Sequence, residues 1–174
     1  MSETTQHISR VVIKAGIQQV WEALTKQGEV LPHFFGSVMH TTGLQPGAQL
    51  RMRSPDGAFT GVVGEILECD PPYRFSHTFR FTNFDEAPCR VTYELKEVEG
   101  GTEFTLISDR IPAGTKTEKQ MIQGGPFITD VLKSVVETGR PSFGKRLLLR
   151  VIGMMSFMTP AKCRSENWPL DRAV

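Results

Sequence analysis

His77 stands in a row where every second residue is aromatic: Tyr73, Phe75, Phe79 and Phe81, with Arg74, Ser76, Thr78 and Arg80 between them. Period-two alternation puts one set on one face of a β-strand. An imidazole in such a row is most often a core residue with satisfied ring nitrogens. Its other uses are to anchor a ligand by a hydrogen bond, or to move a proton as general acid or base. Tyr93 alternates with Val91 and Leu95 on a second run and is the other candidate, because a buried phenol needs a hydrogen-bond partner. No dinucleotide or phosphate loop, nucleophile elbow or His-Glu-x-x-His motif occurs. His7, His33 and His40 are scattered, and Cys69, Cys89 and Cys163 lack metal-ligand spacing. The residues therefore point to binding without a metal or cofactor. An enzyme of cyclase or hydrolase type working through His77 and Tyr93 is the alternative.

The elements that must hold this pair are readable from pattern. His7 to Lys14 reads as a first strand. Ile17, Val20, Trp21 and Leu24 form one apolar stripe of a helix from Ile17 to Lys26, with Gly28 at its end. Glu29 to Phe35 reads as a short second helix, with Pro32 in its first turn. The middle of the chain is a run of strands. Leu50 and Met52 alternate with Arg51 and Arg53, and Ser54-Pro55-Asp56-Gly57 is a strong hairpin signal. Phe59 to Cys69 is a longer strand that ends at Asp70-Pro71-Pro72. Alternation with short polar turns predicts an antiparallel sheet, wet on one face and buried on the other. From about Thr117 a long helix carries the stripe Met121, Phe127, Ile128, Val131, Leu132 and Val135. Gly124-Gly125-Pro126 interrupts it, so that Pro126 either starts the main helix or sits within one already running.

Three separated patches belong together: Ala15 to Thr25, Gly64-Glu65-Ile66-Leu67-Glu68-Cys69-Asp70-Pro71-Pro72 running to Phe75, and Leu132-Lys133 with Glu137-Thr138-Gly139-Arg140-Pro141. Their order and spacing resemble the activator of Hsp90 ATPase homologue 1-like family, a branch of the START/Bet v 1-like (SRPBCC) superfamily. The resemblance covers about residues 7 to 141. Leu31-Pro32-His33-Phe34-Phe35 is similar to the family's Leu-x-x-Trp-Phe, with Phe34 at the Trp position. Gly16 stands where proline is usual, His77 where tyrosine is common and Phe79 where tryptophan is common. The resemblance implies an α+β helix-grip fold, a curved antiparallel sheet wrapped on the long C-terminal helix. It also implies a central cavity for a small hydrophobic molecule. On the sheet that cavity would be lined by Met52, Phe75, His77, Phe79 and Tyr93. Phe34 and Phe35 would form one rim, Trp21 would contact the ligand from the first helix, and Phe127, Val131 and Val135 would face the cavity from the long helix. The family's founding members are co-chaperones that use an additional domain. A stand-alone domain is not expected to inherit that activity, so an interaction module linked to chaperone or stress function is a second reading.

The 174 residues suit one domain with a sizeable core, residues 1–141 forming the grip and 142–174 an apolar helical extension of it. A net charge of +1 gives no support to a nucleic-acid partner. Met1 to His7 is polar and lacks the run of a secretory signal, so a cytoplasmic location is expected. Beyond Pro141, Leu147 to Met158 as a helix would be about 18 Å long against the roughly 30 Å of a bilayer core, which excludes spanning. The extension could pack on its own domain, pair two subunits as a homodimer, or lie on a membrane surface. The expectation is a lid over one mouth of the cavity or a dimer contact. Membrane attachment ranks behind both, because the three basic residues Lys145, Arg146 and Arg150 add only about 1 kcal/mol each near anionic lipid.

Overall fold

A computed structural model describes residues 3–174; Met1 and Ser2, the start of the polar N-terminal stretch, lie outside it. The chain opens with β1 (Thr4–Ile13) and α1 (Ile17–Thr25). Seven strands follow: β2 (Val30–Leu31), β3 (Ser37–Thr41), β4 (Gln49–Arg53), β5 (Thr60–Asp70), β6 (Arg74–Phe81), β7 (Cys89–Val98) and β8 (Gly101–Pro112). All pair antiparallel in one eight-stranded sheet of order β1-β8-β7-β6-β5-β4-β3-β2. The long helix α2 (Lys116–Thr138) packs on β1 and β8, and α3 (Phe143–Met154) follows it. The fold is α+β of the helix-grip type.

Local chemistry explains the ends of α2. Thr115 caps it by accepting from the Glu118 amide at 3.2 Å, while Glu118 accepts from the Gly114 amide at 2.8 Å. Gly139 ends it at φ 80° and donates to the Val135 carbonyl at 2.8 Å. Gly124-Gly125-Pro126 does not start a helix but lies inside one. A Cβ on Gly125 would come within 2.6 Å of Ser9 Oγ, so the missing side chain lets α2 approach β1 closely.

Four expectations are corrected. Glu29 to Phe35 is not a helix of its own. It is the two-residue strand β2 and one 3₁₀ turn, Pro32–Phe34, because Phe35 and Gly36 take left-handed backbone at φ 55° and 76°. Gly28 does not cap α1, which ends at Lys26 in extended conformation; its amide donates instead to Met39 O at 3.2 Å. Tyr73 is exposed rather than turned inward, since it sits in the turn before β6 and the alternation begins only at Arg74. The fourth is Arg51. Alternation with Leu50 and Met52 predicted a wet side chain, yet it has no exposed surface.

The cause lies at the far end of the chain. Beyond α3 and a 3₁₀ turn at Ser156–Met158, the chain returns to the sheet. Cys163 is buried, Arg164 bridges to Phe59, the Ser165 amide donates to Ala58 O at 2.9 Å and Thr60 Oγ1 donates to Ser165 Oγ at 3.0 Å. The Arg51 guanidinium then donates to four carbonyls: Leu50 at 2.9 Å, Trp168 at 3.3 Å, Pro169 at 3.0 Å and Arg172 at 2.5 Å. Arg80 lies 5.2 Å from the Trp168 ring centre. Burial, and then the nearby Arg53 charge, pull the Arg51 pKa below its ordinary value. Carbonyl dipoles here stand in for a carboxylate. Arg51→Ala is therefore expected to cost about 3 kcal/mol and about 10 °C in thermal midpoint, with faster tryptic cleavage in the tail. An unchanged midpoint would mean the tail docks without the clamp.

Candidate functional site

β6 and β7 build the centre of the candidate site. Phe75 pairs with Tyr93 and His77 with Val91, so Tyr93 and His77 meet on the diagonal of one sheet face. The opposite face carries Ser76, hydrogen-bonded to Thr92 at 3.0 Å, and the ion pairs Arg74–Glu94 and Arg90–Asp109. His77 Nδ1 lies 2.7 Å from the Thr78 carbonyl, which can only accept, so Nδ1 carries the proton. His77 Nε2 is then an acceptor, and the Tyr93 hydroxyl donates to it at 3.3 Å. Both side chains are buried. Desolvation lowers the His77 pKa to about 4, opposed in part by the Thr78 hydrogen bond, and raises that of the Tyr93 phenol. The pair is neutral near pH 7.

Around it the aromatic residues pack on one another. Phe75 stacks on Tyr93 with centroids 5.9 Å apart, Phe34 stacks on Tyr93 at 5.9 Å, and Trp21 meets Phe75 edge-on at 6.3 Å. Phe79 and Met52 are half-buried against the same core. The structure thus brings together Trp21, Phe34, Met52, Phe75, His77, Phe79 and Tyr93.

The helix residues divide. α2 meets the continuous core through Leu132, with Met121, Ile128 and Val136 packed against it. Phe127, Val131 and Val135 fall outside that cluster. Phe127 stacks on Phe35 at 4.3 Å, beside the Pro32–Phe34 turn, and Lys145 Nζ sits 4.9 Å from its ring centre. The apolar stripe of α2 is wide enough to make two contacts, Leu132 with the continuous core and Phe127 with Phe35. Phe35 is partly exposed there.

Sequence reasoning passed over His33. It is buried with neither ring nitrogen hydrogen-bonded. Desolvation lowers its pKa to about 4; the Ala23 carbonyl is near enough to oppose the shift, though not in hydrogen-bonding geometry. Its place in Leu31-Pro32-His33-Phe34-Phe35, among apolar residues, was the available signal. Two concavities lie away from the grip. One of about 240 Å³ sits at the docked tail, lined by Arg51, Arg80, Trp168 and Arg172 among others. One of about 400 Å³ on the sheet surface carries balanced charge, from Arg10, Arg74 and Lys96 to Asp70, Glu94 and Glu103.

The model of the family described as activator of Hsp90 ATPase homolog 1-like protein matches residues 14–137. The chain belongs to this family. Solved structures similar to this chain share its fold at low identity. A protein from Mesorhizobium loti has 16 % identity and a TM-score of 0.62, covering 76 % of this chain and 96 % of its own. The Aha1 dimer of Colwellia psychrerythraea has 16 % identity and a TM-score of 0.63, covering 78 % and 98 %. CalU16 of Micromonospora echinospora has 19 % identity and a TM-score of 0.59, covering 90 % and 96 %. A comparison with curated proteins found no match. No helix among the described residues is long and apolar enough to cross a membrane.

Proposed function

We propose that the protein binds a small, largely apolar molecule between the sheet and its covering helices, oriented by the Tyr93–His77 pair. The observation that carries this reading is a neutral, hydrogen-bonded phenol–imidazole pair within an otherwise apolar interior. The imidazole has both nitrogens engaged. The phenol oxygen keeps acceptor capacity to spare. A donor on the ligand, such as a hydroxyl, is the group that would complete it, while the rest of the ligand meets aromatic rings.

Phe34 and Phe75 both pack on the Tyr93 ring, so a ligand reaching Tyr93 would displace one of them. Phe34 is the candidate, because it stacks on Tyr93 and belongs to a single 3₁₀ turn. Phe35 and Gly36, adjoining that turn with left-handed backbone, are where it would swing.

Native mass spectrometry of the purified protein, followed by titration with hydroxylated polycyclic aromatics, tests the reading. Binding with Phe34 displaced is expected. Tyr93→Phe should keep the thermal midpoint within a few degrees and weaken such ligands roughly tenfold, the worth of about one hydrogen bond. Equal affinity in the two proteins would remove Tyr93 as anchor. A protein that takes up no apolar ligand would end the proposal.

A further inference from the structure

The segment from α3 through the Ser156–Met158 turn is apolar and lies open to solvent. None of its residues is buried. Phe143 is 75 % exposed, Met154 72 % and Phe157 82 %, with Leu147, Val151 and Met155 also exposed. On a helical projection these α3 residues share one broad face. Arg146 and Arg150, one turn apart, border it on one side; Lys145 and Leu149, the two half-buried positions of α3, turn toward the domain. Residues 138–165 contain no Asp or Glu, yet hold Arg140, Lys145, Arg146, Arg150, Lys162 and Arg164. Lys162 and Arg164 pair with Asp85 and Glu166; the other four make no ion pair among the described residues. Both ends are fixed, at Gly139 by the α2 cap and at Cys163–Arg164 by the return to the sheet.

We propose that α3 and the turn after it dock this protein on the surface of an anionic phospholipid bilayer. An amphipathic helix whose apolar face is bordered by basic residues lies in the interfacial plane, its apolar side chains in the acyl boundary and its cations on the headgroups. Anchoring at both ends holds α3 flat against such a surface. A second copy of this chain fits the patch less well. The helix is about 18 Å long and roughly 10 Å wide, a few hundred Å² against the about 800 Å² per partner of a stable interface. Two acid-free segments would also set cation against cation.

Flotation of the full chain with vesicles tests this, using phosphatidylcholine alone or mixed in equal parts with phosphatidylserine. Binding to the mixed vesicles is expected, at least tenfold weaker to phosphatidylcholine, and reversed at about 1 M salt where the screening length is about 3 Å. The double variant Arg146→Glu, Arg150→Glu should lose more than tenfold, since each basic residue is worth about fivefold near an anionic surface. Met154→Glu with Phe157→Glu should abolish binding. Both variants change exposed positions, so an unchanged thermal midpoint confirms that each is folded. Three results would overturn the proposal: a folded full chain that stays off the mixed vesicles, equal binding to both compositions, or a vesicle-indifferent dimer that dissociates on Phe157→Glu.

Discussion

Gly64→Ala is expected to destabilise the protein by at least about 4 kcal/mol, or to leave it insoluble. A Cβ at Gly64 would stand 2.0 Å from the Thr78 carbonyl oxygen and 3.0 Å from its carbon. Those are backbone atoms of the adjacent strand, so no side chain can swing aside. The same carbonyl accepts the His77 Nδ1 proton, and the Thr78 hydroxyl accepts the Glu65 amide at 2.9 Å. Relieving the overlap must part β5 from β6 where the candidate site is built. Gly61→Ala, in the same strand with nothing within 4 Å of its Cβ, serves as the control and should shift stability by no more than about 0.5 kcal/mol. Equal urea midpoints for the two variants would show that the strands can separate cheaply.

Lowering the pH from 7 to 5 is expected to remove on the order of 4 kcal/mol of stability. His33 and His77 both carry folded pKa values of about 4 against an ordinary 6.5, chiefly from desolvation. The unfolded chain binds their protons first. Their contribution is therefore complete above pH 6.5 and is lost as pH falls toward 4, at about 2 kcal/mol each by pH 5. The carboxylates of Asp109 and Glu137 are held below their ordinary values by hydrogen bonds from Arg90 and Lys133, so their contribution declines only at lower pH. Urea unfolding at pH 7, 6 and 5, followed by the fluorescence of Trp21 and Trp168, measures the slope. A flat profile, or imidazole resonances of His33 and His77 that titrate near 6.5, would show that these rings reach water.

The sheet was largely legible in the sequence. Period two from Phe75 to Phe79 and from Val91 to Leu95 assigned the inward faces, and Ser54-Pro55-Asp56-Gly57 the turn before β5. His77 and Tyr93 each stood out as the polar member of an apolar run, but that they meet is set by the register of β6 and β7. Periodicity reports which side chains share a face and is silent on what covers that face. Arg51 alternates like a solvent-facing residue and is buried only because a tail more than a hundred residues later lies across it. A broad helical stripe does not say where one contact surface ends and the next begins: Phe127 stacks on Phe35, and Val131 is buried outside the cluster that holds Tyr93. The motif glycine at Gly64 marked the resemblance, but the carbonyl that requires it lies on another strand.

The docked tail also has a covalent meaning. Residues 163–172 hold β4 and β5 by hydrogen bonds of their own and by the Arg51 guanidinium, while α3 contributes no buried residue to that attachment. The peptide link through α3 is therefore dispensable once the tail is seated. Cleavage at the exposed Arg146 or Arg150 would leave a nicked molecule whose two pieces travel together until denatured. Separately made, the grip and its tail are expected to act as complementary fragments that reassemble a whole protein from two chains.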